Sequence, residues 1–158
     1  MADVMELIKQ HEADMIGIRR HIHANPELSN EENRTTALIR EKLEEYGIEI
    51  MEIGLKTGVV GFLKGGRPGK TVAIREDIDA LPMSEKTDLP YASSVDGVCH
   101  SCGHDIHTTV LLFCARVLSV LRDQLSGNVL FLFQPAEERG TGARQLLDCK
   151  FYEPVKPD

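Results

Sequence analysis

Residues 129–133 read Val-Leu-Phe-Leu-Phe, five apolar side chains in a row with no polar alternation. A strand with one wet face alternates apolar and polar residues, so an unbroken run this short, bounded by turn residues, belongs to a strand covered on both faces. The covers must come from the rest of the chain. Val4, Leu7, Ile8, His11, Met15, Ile18 and Ile22 recur at three- and four-residue steps, which predicts an amphipathic helix stopped by Pro26. Ser29 and Glu32 read as a capping box opening a second helix that closes at Gly47. Residues 48–53 alternate as a strand, and residues 58–63 and 71–75 are further strands, separated by the turn cluster Lys64-Gly65-Gly66-Arg67-Pro68-Gly69. Residues 108–121 form a mostly apolar helix broken by Ser126-Gly127-Asn128, and residues 140–147 a short one. Helices alternating with strands, one of them doubly buried, predict an α/β fold with helices on a central sheet.

A chain of 158 residues, 42% hydrophobic and 27% charged, is long enough for one domain with a real core. Its net charge of −7 and pI of about 5.4, with no basic block and only 5% aromatic residues, argue against a nucleic-acid surface. The acidic, amphipathic N-terminus lacks the basic-then-apolar layout of a secretory signal. The longest apolar runs are far too short to span a bilayer. The expectation is a cytoplasmic protein with no membrane or nucleic-acid partner, its four cysteines (Cys99, Cys102, Cys114, Cys149) serving as thiols or metal ligands instead of disulfides.

Three clusters can carry chemistry. The densest is Cys99-His100-Ser101-Cys102-Gly103-His104-Asp105-Ile106-His107. Thiolate and neutral imidazole are both good zinc ligands, and Gly103 lets Cys102 and His104 turn toward one ion. His107 lies three residues beyond His104 and would share its face on a starting helix. Cys99-x-x-Cys102 also admits a zinc ribbon or a thioredoxin-like redox pair. A ribbon needs a second cysteine pair, and a redox pair leaves the neighbouring histidines unexplained. Cys114 and Cys149 read as small buried hydrophobes. The second cluster, Gln134-Pro135-Ala136-Glu137-Glu138, follows the buried strand. Its carboxylates are either solvated, or one binds a metal while the other acts as general base. The third, Asp77-x-Asp79, either starts a turn or contributes to a site at a strand's carboxyl end. Arg19-Arg20-x-x-His23-x-x-Pro26-Glu27 reads from composition as a solvated helix end.

Four strings, in order, resemble the amidohydrolase branch of the aminoacylase and carboxypeptidase metallopeptidase family. They are Arg19-Arg20-His21-Ile22-His23-Ala24-Asn25-Pro26-Glu27-Leu28-Ser29, Asp77-Ile78-Asp79-Ala80-Leu81-Pro82-Met83, His100-Ser101-Cys102-Gly103-His104-Asp105-Ile106-His107-Thr108 and Gln134-Pro135-Ala136-Glu137-Glu138. That branch holds hippurate hydrolases, auxin-conjugate hydrolases and N-acetyl-diaminopimelate deacetylases. The resemblance implies the N-terminal portion of a zinc-exopeptidase-like α/β catalytic domain, a central mixed sheet flanked by helices. It implies metal-dependent hydrolysis of N-acyl amino acids or small peptide-like conjugates. Cys102, His104 and Glu138 would then be metal ligands and Glu137 the catalytic base, taking a proton from water and passing it to the leaving amine. Asp79, Asp105 and His107 would hold the ligands in place. The implied cofactor is a divalent metal, zinc first, with manganese, cobalt or nickel as alternatives, at a two-metal site in the intact family.

Cys99 and Glu76 stand where this branch more often has Met and Ala. Family members also continue further, with two more histidine ligands and a lid or dimerisation domain. No histidine follows Glu138 here. The reading is therefore that residues 1–158 form part of the catalytic domain without the lid. Such a chain is expected to bind metal weakly, to self-associate as a homo-oligomer or aggregate, and to lack appreciable amidase activity alone. A non-catalytic metal-binding remnant of the same fold is the alternative function, and a Cys-x-x-Cys redox module a further one.

Overall fold

The computed structural model describes residues 3–158; Met1 and Ala2, which open the stretch read as non-secretory, lie outside them. The apolar run at 129–133 forms the centre of strand β4 (Ser126–Gln134) once the elements before it are placed: α1 (Val4–Gln10), α2 (Glu12–Ala24), α3 (Asn33–Glu45), β1 (Glu49–Ile50), β2 (Val59–Lys64), β3 (Arg67–Asp77) and α4 (His104–Val120). A final helix, α5 (Gly142–Asp148), follows β4. The sheet is mixed, in the order β1-β2-β4-β3, with β2 antiparallel and β3 parallel to β4.

Strand β4 is covered on both faces, as the missing alternation requires. Phe131 and Phe133 point into one cluster with Ile39, Leu43, Leu63 and Leu112, under α3 and α4. Leu130 and Leu132 point the other way, against Val60 and Leu146 of α5. Each such buried side chain contributes roughly 1.5–3 kcal/mol of transfer free energy. Because β3, α4 and β4 form a parallel crossover unit, the carboxyl ends of β3 and β4 emerge side by side.

Several local expectations change. The segment predicted as one N-terminal helix is two, broken at His11 (φ −112°), whose amide turns back to Ile8 O. After the break, Val4 and Ile8 of α1 line one apolar groove with Phe113 and Val117 of α4. The second segment ends where expected, Ala24 being the last helical residue before Pro26. Helix α4 begins at His104, four residues before the apolar run, without the Ser, Thr or Asp cap that announces a start. The hydroxyls of Thr108 and Thr109 donate to the carbonyls of His104 and Asp105 inside its first turn. Residues 126–128 open β4 instead of merely breaking the helix, and the strand expected at 48–53 is confined to Glu49–Ile50. Among the described residues no helix is long and apolar enough to cross a membrane.

The capping box at Ser29 and Glu32 does not form. Ser29 is drawn away to Asp79, and Glu32 to the amide of Ala136. Helix α3 is capped from further upstream, by Glu27, whose carboxylate accepts the amides of Arg34 (3.0 Å) and Thr35 (2.8 Å). A carboxylate at a helix N-terminus both satisfies free amides and opposes the helix dipole. Glu27→Ala should therefore lower stability by about 1 kcal/mol, a melting temperature drop of roughly 2–4 °C for a chain of this size. Thermal denaturation followed by circular dichroism measures it. An unchanged midpoint would show that α3 is held by packing alone.

Candidate metal centre

The site is assembled where β3 and β4 end. Ile78 N donates to Gln134 O (3.0 Å), which extends the β3–β4 pairing one step and brings Asp79 beneath the turn that follows β4. Asp79 is buried. Its carboxylate accepts the Ser29 hydroxyl at 2.6 Å and the amides of Glu137 and Glu138 at 3.1 and 3.0 Å. Burial alone would raise this carboxyl, but His104, Ser29 and the two amides more than offset it and hold it at about 2.

His104, the first residue of α4, follows Gly103, which sits at φ 94°, a backbone region that side chains other than glycine rarely adopt. Its Nδ1 lies 2.9 Å from the Asp79 carbonyl oxygen and 3.4 Å from the Asp79 carboxylate. A carbonyl only accepts, so Nδ1 carries the proton and Nε2 is left to face the site. There Nε2 lies 3.8 Å from Glu137 Oε2 and 4.0 Å from Glu138 Oε1. Burial disfavours charge on this ring, yet Asp79, through carboxylate and carbonyl, and nearby Asp77 raise it to about 9.

Ligand atoms of Cys102, His104 and Glu138 all lie within 4.8 Å of one another. Glu138 Oε1 is buried and has no hydrogen-bond partner. Burial and then the charges of Glu138, Glu137 and Asp77 push the Cys102 thiol up. A thiol, an imidazole and an orphaned carboxylate oxygen, crowded together with surplus acids, fit a divalent cation. The same surroundings are the opposite of those that activate a redox thiol, which needs electropositive neighbours. Cys99 is buried, its Sγ 2.9 Å from Ser101 Oγ.

The remaining expected residues fall unevenly. Glu137 is the more exposed glutamate, its side chain 42% accessible against 17% for Glu138. His107 is exposed, its ring centroid 5.8 Å from that of His104. Asp105 is fully buried but points away from the ligands: its Oδ2 accepts from His23 Nδ1 (2.7 Å) and forms an ion pair with Arg19, whose Nε lies 2.8 Å away. His23, read from composition as part of a solvated helix end, is in fact buried, with its other ring nitrogen 3.2 Å from Glu85. Ser29, Glu32 and Glu85 were not singled out for the site. Ser29 and Glu32 lie in or beside the first of the four strings, but nothing local marks their roles.

A model of peptidase family M20/M25/M40 matches residues 73–158, just over half of the chain. The chain belongs to that family. It is 52% identical over 137 residues to N-acetyl-L-cysteine deacetylase of Bacillus subtilis, covering 87% of this chain and 33% of that protein. It is 43% identical over 143 residues to N-acyl-L-amino acid amidohydrolase of Geobacillus stearothermophilus, covering 90% and 39%. The crystal structure of the Bacillus subtilis YXEP protein, described as a dinuclear metal binding peptidase from the M20 family, superposes with a TM-score of 0.89 at 48% identity. That match covers 93% of this chain and 41% of the YXEP chain. The chain thus spans about a third of the length of the curated relatives it matches.

The local geometry separates the two cysteines: Cys102 lies beside His104 and Glu138, whereas Cys99 Sγ is turned to Ser101. Cys102→Ala should lose most of the bound metal, while Cys99→Ala should retain it. Elemental analysis of the purified variants after zinc loading and desalting reads this directly. Equal losses would mean that both thiols share the ion, as in a Cys-x-x-Cys site.

Proposed function

We propose that this M20 chain carries the metal centre of an amidohydrolase that cleaves the amide bond of N-acyl amino acids or small peptide-like conjugates. The carrying observation is the convergence of Cys102, His104 and Glu138 with a second, more exposed carboxylate, Glu137, 3.8 Å from the same imidazole nitrogen. We take zinc as the metal, since thiol, imidazole and carboxylate are its usual donors. A zinc ion held there would polarise the amide carbonyl and bring the pKa of its water to about 7. Glu137 accepts the proton from the attacking water and returns it to the amine as the amide breaks, which its accessibility permits. Asp79 keeps the two glutamates apart in role by fixing both of their amides, so that adjacent side chains leave the backbone in different directions. Asp105 acts one step further out, anchoring α4 to α2 through His23 and Arg19, and His107 lines the rim.

The names of relatives that act on N-acetylcysteine and N-acyl amino acids support this substrate class. The dinuclear description of the YXEP protein supports a second metal beside the first, drawing on residues beyond these three. Unpaired thiols as ligands favour a reducing, cytoplasmic setting. The outer edge of β3, with Val72 exposed, is the surface we assign to self-association.

The roles of the two glutamates separate in a chimera where this chain replaces the aligned segment of the Bacillus subtilis N-acetyl-L-cysteine deacetylase. Glu137→Gln should abolish turnover of N-acetyl amino acids, by about 10²–10⁴-fold, yet keep the metal, because an amide cannot take the proton. Glu138→Gln should lose metal as well as rate. Near-normal turnover in Glu137→Gln would remove Glu137 as the base.

A further inference from the structure

The turn that carries Glu137 and Glu138 begins on a residue in an unfavourable conformation. Ala136 has φ 50°, in the left-handed region that non-glycine residues avoid, and it is fully buried. Such a residue persists only where its surroundings dictate it. Both of its backbone groups are pinned: its carbonyl accepts the amides of Thr141 (3.2 Å) and Gly142 (3.1 Å), and its own amide donates to Glu32 Oε1 at 2.8 Å. Three successive amides, those of Ala136, Glu137 and Glu138, are therefore each held by a buried carboxylate, the first by Glu32 and the other two by Asp79.

Glu32 is fully buried, and its second oxygen, Oε2, has no partner. Among the described residues, the amide of Ala136 is its one hydrogen-bond partner. Burying a carboxylate for one amide is costly unless that amide matters.

Resting on the metal-centre reading above, we propose that Glu32 is a positioning residue for that centre. Through the Ala136 amide it fixes the left-handed turn, and so the direction in which Glu138 presents its ligand oxygen and Glu137 its base. The contribution is that of an acceptor oxygen at the right reach. It is not that of a negative charge near the metal.

This makes the rank order of substitutions diagnostic. Glu32→Gln keeps an acceptor oxygen at the same distance and loses the charge. Glu32→Asp keeps the charge and draws the carboxylate back by about 1.5 Å, out of reach of the amide. Glu32→Leu removes both. The probe is cobalt(II), titrated into the chain and its variants, with the visible d–d bands of the saturated complex reading coordination geometry. Circular dichroism of each variant before loading reads folding. Positioning predicts that Glu32→Gln binds cobalt within about threefold of the unchanged chain, with the same bands. Glu32→Asp and Glu32→Leu should bind about 10–100-fold more weakly, with altered bands at saturation. Should Glu32→Leu fail to fold, Glu32→Asp carries the test. A purely structural role would lower thermal stability but leave the saturated spectrum unchanged, and a charge role would rank Asp above Gln; either result overturns the inference while leaving the metal centre standing. Absence of cobalt binding in the unchanged chain would overturn both.

Discussion

The buried carboxylate of Asp79 is the constraint on which the rest of the centre depends. It receives a hydroxyl from the segment before α3, two consecutive amides from the turn after β4, and faces the imidazole at the start of α4. Those groups belong to three separate stretches of chain, and Asp79 touches all of them. A buried anion without donors would be strongly disfavoured, whereas one that accepts three hydrogen bonds and faces an imidazole is held ionised and immobile. Hydrogen bonds to a carboxylate are roughly twice as strong as neutral ones, so each donor is fixed by Asp79 as firmly as it fixes Asp79. His104 cannot turn its Nε2 elsewhere, and Glu137 and Glu138 cannot exchange places.

That arrangement is possible only because β3 and β4 run parallel. Antiparallel neighbours would put the residue after β3 and the turn after β4 at opposite ends of the sheet. The crossover through α4 sets both carboxyl ends, and the helix's first residue, at one rim. The apolar run of β4, residues 129–133, is what keeps this rim rigid. Phe131 and Phe133 are locked beneath α3 and α4, and Leu130 and Leu132 beneath α5, so the strand has no soft face along which to shift. Packing thus determines where the site is, and the buried carboxylates determine the direction of each group within it.

The parts of this design that were legible in the sequence are those written locally. The run at 129–133 declared a doubly covered strand because burial on two faces abolishes alternation over a few consecutive residues. The crowding of Cys102 and His104 was visible because thiol and imidazole sit two residues apart, and the fold brings both beside Glu138. What was misread depends on partners far along the chain. Ser29 and Glu32 have the identity and spacing of a capping box, but tertiary acceptors and donors 50 and 104 residues away outbid the local helix. His23 looked like a solvated helix end because Asp105, its partner, lies 82 residues further on. Asp105, which the resemblance implied would help hold the ligands in place, reaches them only indirectly, through its partners on α2. One residue along a helix turns a side chain by about 100°, and this turned Asp105 toward α2.

The electrostatics of the rim give these placements their chemical sense. Asp79 and Asp77 raise the proton affinity of the imidazole, and burial with Glu138, Glu137 and Asp77 raises that of the thiol. With its ring held at about 9, His104 keeps its proton at neutral pH and acts as an internal counter-charge to the acids around it. A divalent cation would have to displace that proton and the one on Cys102, and it would bring more positive charge than it removes from the ring. Asp79 and Glu138 differ in kind. The carboxylate of Asp79 already accepts three hydrogen bonds, from Ser29 and the amides of Glu137 and Glu138, whereas Glu138 keeps a buried oxygen without a partner.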